Sequence, residues 1–168
     1  MIAKKGFTLA EMVAVIAILM LLAVLSTPFI KGYIDDAYNG KAQIYMKELN
    51  EARINFEKDY PGTTVTGTVS AGAEIPSCNI ESIYGQNNLQ VGIPMLIACK
   101  YLRVPTDVMG RYSFGVGCVS NCNSCSNAEV SMLGGTNAGN YNRRCAWINS
   151  FGQTCKLDEN NSNSIICE

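Results

Sequence analysis

The chain contains no histidine, a single tryptophan and few charged residues, which make up 16% of its 168 positions. Without histidine, a serine or cysteine nucleophile lacks its usual acid–base partner. No glycine-rich phosphate-binding motif precedes a predicted helix either. The sequence therefore supplies no catalytic constellation, and we expect neither an enzyme nor a bound cofactor.

Basic residues are also scarce and scattered. Lysines and arginines number 13 against 14 acids, for a formal charge of −1, and the only lysine pair is Lys4-Lys5. No basic patch or aromatic-rich basic run is present, so the sequence does not favour a nucleic-acid partner. A length of 168 residues is sufficient for one domain with an appendage.

A long apolar run, residues 7–30, dominates the start of the chain. Its 24 residues exceed the roughly 20 that a membrane-spanning helix needs. Lys4 and Lys5 precede it, and by the positive-inside rule they lie on the cytoplasmic side of the membrane. We therefore expect the rest of the chain on the opposite side.

Glu11 is the only charged residue within this run. An unpaired charge at hydrocarbon depth costs about 2.5 to 3.5 kcal/mol on insertion scales, so it usually marks a partner or a pathway. A plain membrane anchor leaves Glu11 unexplained. A cleaved secretory signal has a shorter apolar core, about 7 to 15 residues, and a small-residue cut site, of which Val24-Leu25-Ser26 is a poor version.

The residues around Gly6 resemble the class III signal of type IV pilins and type II secretion pseudopilins. The matching segment is Lys4-Lys5-Gly6 followed by Phe7-Thr8-Leu9-Ala10-Glu11-Met12, and Pro28 also fits the family's pattern. The resemblance implies that a prepilin peptidase cuts after Gly6 and methylates the amine of Phe7. It also implies that Glu11, about 6 Å along the helix from Phe7, sets the register of a filament by pairing with a neighbour's Phe7 amine. The alternative for Glu11 is a carboxyl group that is protonated in lipid.

The sequence after the apolar run predicts an amphipathic continuation of the same helix. We expect a kink at Pro28, which lacks a backbone N–H, and an end at Asp59-Tyr60-Pro61-Gly62. Apolar residues recur at spacings of three or four, so the second half has a face that can pack on a sheet. This face is Ile34, Tyr38, Ala42, Tyr45, Leu49, Ala52 and Phe56.

The remainder reads as a small β-rich domain. Alternating apolar residues predict strands over 111–119, 129–133 and 144–149, and residues 62–73 suit an edge strand or an irregular loop. Residues 93–102 predict a short second helix, although Gly92 and Pro94 leave its first residue undefined.

Eight cysteines in a chain of this length are typical of an exported domain with disulfides. They are Cys78, Cys99, Cys118, Cys122, Cys125, Cys145, Cys155 and Cys167, all after the apolar run. A zinc site of four thiolates, Cys118, Cys122, Cys125 and Cys145, is the alternative, but its spacing is irregular; we expect no metal.

Eight cysteines permit 105 connectivities, and the spacing does not choose among them. The terminal disulfide loop of the pilin family implies Cys155 with Cys167. Cys78 with Cys99 is the other pairing that we favour.

The resemblance implies an α+β, type IV pilin-like fold, in which a long N-terminal helix packs on a small antiparallel sheet held by disulfides. We expect a leader at 1–6, a transmembrane and filament-core half-helix at 7–30, an amphipathic half-helix at 31–60 and a globular domain at 61–168. The implied partners are identical subunits, minor pilins, a prepilin peptidase, an assembly ATPase and a platform protein. Before assembly the chain would lie in the cytoplasmic membrane with its globular domain outside, and afterwards in an extracellular or periplasmic filament.

Two alternatives to the pilin interpretation remain. One is a pseudopilin of a type II secretion system. Residues 101–112 loosely resemble the segment before the sheet of the major pseudopilin, but Val108 and Met109 replace its proline and tryptophan, which weakens the case for a calcium loop. The other is a membrane-anchored, disulfide-rich binding module that never polymerises.

Overall fold

Helix α1, Leu9–Asp59, begins the structure and contains 51 residues. Its end at Asp59 is the one that the stop signal predicts. Its backbone passes Pro28 without a break in the helix assignment, and the kink expected at Pro28 stays a prediction.

The computed structural model describes residues 8–103, 106–118, 125, 127–134, 145–157 and 165–168, with the backbone alone at residues 27–29 and 31. The chain divides into two compact units, Met1–Tyr38 and Asn39–Glu168. Helix α1 contributes residues to both units.

The second unit contains short strands and two short helices after α1. In chain order these elements are β1 (Thr63–Thr66), β2 (Thr68–Val69), β3 (Leu89–Gly92), α2 (Ile93–Ala98), α3 (Thr106–Met109), β4 (Tyr112–Val116), β5 (Ala128–Gly134), β6 (Cys145–Asn149), β7 (Thr154–Leu157) and β8 (Ile165–Cys167).

Six of the described strands form one antiparallel sheet in the order β2-β4-β5-β6-β7-β8. Strands β4 to β8 follow one another along both chain and sheet, so this part is a meander. Strands β1 and β3 form a separate two-stranded parallel ribbon, with Val65 opposite Val91. The fold is thus α+β, as the sequence predicts.

The core of the second unit lies between α1 and one face of the sheet. The predicted helix face is buried from Ala42 onward, and Leu49 and Phe56 are 0% exposed. Tyr45 contacts the sheet, with its ring centroid 4.6 Å from that of Phe114 in β4. Met46, also 0% exposed, was absent from the predicted face although it neighbours Tyr45.

The first two positions of the predicted face belong to the other unit. Ile34 is 44% exposed, and Tyr38 is only partly buried, so the prediction that they share the buried stripe is wrong for Ile34. Within Met1–Tyr38 there is no sheet among the described residues for a stripe to pack against.

The opposite face of the sheet carries a smaller apolar cluster built largely from disulfides. Trp147 in β6 is 3% exposed and packs with Cys125, Cys145 and Cys155. Trp147 lies opposite Ser131 of β5 and Cys155 of β7. Because side chains alternate across a strand, these residues face away from α1. On this face the disulfide-bonded cysteines pack against Trp147, in place of a second layer of helices.

Several predicted boundaries are wrong. The second helix ends at Ala98 rather than at residue 102, and the strand predicted over 111–119 covers only Tyr112–Val116. Gly117 has a φ of 78°, which turns the chain out of the strand. The segment 62–73 splits between the two sheets, because Gly67, with a φ of 90°, breaks it.

Helix α2 ends in a Schellman motif. Lys100 N donates to Ile97 O at 3.1 Å and Tyr101 N to Leu96 O at 2.9 Å, the bond pattern that closes a helix through a left-handed residue. That residue is Lys100, with a φ of 64°. A side chain at such a position is strained, since left-handed backbone costs a non-glycine residue about 1 to 2 kcal/mol.

Replacing Lys100 with glycine is therefore expected to stabilise the protein by about 0.5 to 1 kcal/mol, the strain relief less the extra unfolded-state entropy of glycine. Chemical denaturation of the purified chain in detergent measures the change. Lys100→Ala is the control, because alanine removes the charge and keeps the strain. An equal gain from Lys100→Ala would show that the charge, and not the backbone, is responsible.

Candidate assembly site at the first turn of the helix

The predicted site residues lie around the start of α1. Gly6 and Phe7, the predicted cleavage and methylation positions, lie outside the described residues. Glu11 lies in the first turn of α1, where its carboxylate is close to Thr8, the residue before the helix.

Thr8 and Glu11 bind each other through three hydrogen bonds. The backbone N–H of Thr8 donates to Glu11 Oε2 at 2.8 Å, and the Thr8 hydroxyl donates to the same oxygen at 2.9 Å. In return, the backbone N–H of Glu11 donates to Thr8 Oγ1 at 3.3 Å. This arrangement is a capping box, which satisfies backbone N–H groups that the first helical turn leaves without partners.

Sequence reasoning missed Thr8. Its signal was present, since Thr8-Leu9-Ala10-Glu11 has the Thr-x-x-Glu spacing of a capping box directly before an apolar run. The charge of Glu11 marks it as a candidate site, and its position three residues after Thr8 also makes it part of a capping box. Glu11 thus has a local partner as well as the intermolecular one that the resemblance implies.

The helix after this turn is apolar and uncovered. Leu9–Ser26 is long and apolar enough to cross a membrane, and none of it is buried within the chain. Leu9, Leu21 and Val24, for example, are 84%, 66% and 72% exposed. Contiguous apolar surface of this extent is typical of a membrane or protein contact.

Polar contacts fasten the C-terminal part of α1 within the second unit. Arg53 Nη2 lies 2.8 Å from Glu129 Oε2 in β5, with 15% of the Arg53 side chain exposed. Tyr101 donates a 2.6 Å hydrogen bond to Asp59 Oδ2. This hydrogen bond, helped by burial, raises the pKa of Tyr101. These contacts join α1 to the sheet and to the end of α2.

A shallow depression of about 280 Å³ lies beside the same helix. Lys41 Nζ and Asp107 Oδ2 meet at its edge at 3.0 Å, and the hydrogen bond from Lys41 lowers the pKa of Asp107. Tyr45 lines it with a buried hydroxyl whose pKa is raised by burial and by the charge of Glu48. No cluster that could hold a metal ion occurs in the part of the chain that the structure describes.

The structure describes three disulfides. Cys78 pairs with Cys99, and Cys155 with Cys167, the two pairings that the sequence analysis favoured. Cys118 pairs with Cys125, so neither sulfur is a thiolate for the alternative zinc site. Cys145 is also disulfide-bonded, and Cys122 lies outside the described residues.

Comparison with known proteins identifies the N-terminal segment. Residues 1–27 match the family model of the prokaryotic N-terminal methylation motif. The chain carries a class III prepilin signal, as type IV pilins and pseudopilins do. Searches of curated proteins and of solved structures find no match to the chain.

The prepilin signal and the architecture of the chain agree with each other. An apolar N-terminal helix followed by an antiparallel sheet with disulfides is consistent with a type IV pilin-like fold. The signal supports a type IV pilin-like or pseudopilin subunit, and the proteins of that family are structural. The prepilin signal also implies membrane association and assembly with pilus machinery.

Proposed function

We propose that the chain is a pilin, a structural subunit that polymerises into a type IV pilus or pilus-like filament after its leader, residues 1–6, is removed. The observation that carries this proposal is the uncovered apolar segment Leu9–Ser26, which directly follows the prepilin cleavage position. Such a surface needs lipid or protein around it. Membrane lipid covers it before assembly, and identical segments of neighbouring subunits cover it in the filament.

The two halves of the proposed subunit have different tasks. Residues 7–30 form the membrane anchor and later the filament core, and residues 31–60 carry the globular domain, residues 61–168. When helices move from lipid into contact with one another, packing between helices replaces packing with lipid tails. Because lipid tails are as apolar as the helices, this exchange gives little hydrophobic gain. Assembly therefore needs an external motor, and we propose that an assembly ATPase and a platform membrane protein supply it, after a prepilin peptidase has processed Gly6 and Phe7.

The disulfides support a filament that works outside the cytoplasm. Disulfides persist in oxidising compartments, and those of this chain lie after the apolar segment. Together with Lys4 and Lys5 on the cytoplasmic side, they support the same orientation of the subunit. In this proposal the chain has no enzymatic activity, and identical subunits and minor pilins are its direct partners.

Shearing of cells that produce the chain tests the proposal. We expect the chain in the extracellular sheared fraction as filaments, with residues 1–6 absent and one methyl group on the amine of Phe7, as mass spectrometry of the N-terminal peptide will show. A cytoplasmic marker protein, absent from the same fraction, is the control for lysis.

Other results of this experiment identify the alternatives. A processed chain that stays in the cell envelope and is required for secretion of other proteins would indicate a pseudopilin. A chain that keeps Met1 and behaves as a membrane-bound monomer would indicate an anchored binding module, and would contradict both filament proposals.

A further inference from the structure

The capping box leaves one carboxylate oxygen of Glu11 free to bind another group. Both donors of Thr8, its N–H and its hydroxyl, bind Oε2. Within the described part of the chain, Oε1 accepts no hydrogen bond. A carboxylate has about four lone-pair positions on its two oxygens, so the box uses half of the capacity of Glu11.

Removal of the leader takes away none of the groups that form this arrangement. The cleaved bond joins Gly6 to Phe7, whereas the donors of the box belong to Thr8, one residue further on. The first helical hydrogen bond, from Met12 N to Thr8 O at 3.2 Å, also lies beyond the cleavage position. The box is therefore available to the mature subunit.

The box also restricts where the free oxygen lies. In helices, long side chains point back toward the N-terminus, and the two bonds to Thr8 hold the Glu11 carboxylate over the first turn. Without these bonds the side chain would sample several rotamers and lose entropy when a partner binds. A carboxylate held in place binds an ammonium group at a lower entropic cost.

We propose that Thr8 is a positioning residue for assembly: it holds Oε2 of Glu11 so that Oε1 accepts the Phe7 amine of a neighbouring subunit, and its hydrogen bonds persist in the filament. This inference rests on the proposed pilin function. It assigns to Thr8 an effect on polymerisation, exerted through Glu11, in addition to its effect on the helix start.

Three substitutions of Thr8 test this role. Thr8→Val has nearly the same shape and lacks the hydroxyl, and we expect the fraction of chain in sheared filaments to fall about fivefold, the factor that corresponds to a typical N-cap bond. Thr8→Ser keeps the hydroxyl, and its yield should stay within about twofold of wild type. Thr8→Asp caps a helix as well as serine does, but its side chain donates no hydrogen bond to Glu11, so its yield should fall as in Thr8→Val.

Filament yield from Thr8→Asp equal to wild type would overturn the proposal, because capping alone would then suffice. A Thr8→Val variant that assembles normally would overturn it as well, and so would one that keeps its leader, since Thr8 would then act at the peptidase. A density map of wild-type filaments gives the direct readout. We expect Thr8 on one oxygen of Glu11 and the neighbour's amine on the other, and a Glu11 turned away from Thr8 would contradict this.

These outcomes separate the two proposals. Wild-type chain that loses its leader and forms no filament would refute the pilin function and, with it, the role of Thr8. Wild-type filaments that tolerate Thr8→Val would refute the role of Thr8 alone.

Discussion

Glu11→Ala is expected to yield subunits that enter the membrane and lose their leader but join filaments poorly. In the proposed filament the substitution leaves the neighbour's Phe7 ammonium buried without a counter-charge, at a cost of about 3 to 5 kcal/mol for each pair. It also removes the capping box that Thr8 forms with Glu11. The measurement is the ratio of sheared to membrane-bound chain, with leader removal followed by mass spectrometry in the same cells.

Glu11→Gln separates the two losses. Glutamine keeps the capping box and removes the charge, so we expect assembly to fail nearly as completely as with alanine. Glu51→Gln is the matched control, because Glu51 is an exposed acid on the same helix. Normal filaments from Glu11→Gln would show that the charge is dispensable, and they would contradict the pairing with Phe7.

Leu49→Ala is expected to destabilise the globular unit by about 2 to 5 kcal/mol, the range for a large-to-small change in a packed core. Leu49 is 0% exposed and lies in the stripe of α1 that contacts the sheet. A loss of this size is a large fraction of the total stability of a small domain. Denaturant unfolding in detergent measures it, with the fluorescence of Trp147, which is 3% exposed, as the signal.

Ile44→Ala is the control for Leu49→Ala. Ile44 is five residues earlier on the same helix and is 60% exposed, so its truncation should change the stability by less than about 0.5 kcal/mol. Equal effects of the two substitutions would contradict the assignment of the buried face.

The sheared-filament and unfolding experiments test different parts of one helix. In Leu9–Ser26 the apolar residues are exposed within the chain, so substitutions there are expected to change assembly and to leave the folding of the globular unit unaffected. Between Ala42 and Phe56 one stripe of apolar residues, which includes Leu49, is buried, so substitutions in that stripe are expected to change stability first. The boundary lies near Tyr38, where the chain divides into its two units.

The helix was the part most predictable from the sequence. Its end at Asp59 and its buried residues from Ala42 to Phe56 follow from local periodicity and from a strong stop signal. The prediction was wrong at Ile34, because periodicity identifies an apolar stripe but does not say how much of that stripe has a sheet to cover it.

The sheet was predictable only in its regular part. Strands β4, β5 and β6 were expected within a few residues, since they alternate and follow one another in the chain. Strands β3, β7 and β8 were not expected at all. They are short, and β8 is held in place by pairing with β7 and by the bond from Cys155 to Cys167, contacts that the residue pattern within the strand does not indicate.

The sequence by itself determined the properties that depend on neighbouring residues: the prepilin signal at residues 1–27, the apolar segment after it and the amphipathic helix that ends at Asp59. Hydropathy and helical periodicity act over a few turns, so they can be read locally. Tertiary structure decided the parallel pairing of β1 with β3, the bond between Cys118 and Cys125, and the layer of sulfur around Trp147. These depend on which of many possible contacts best bury apolar surface and pair backbone groups, and that choice is made by the folded chain as a whole.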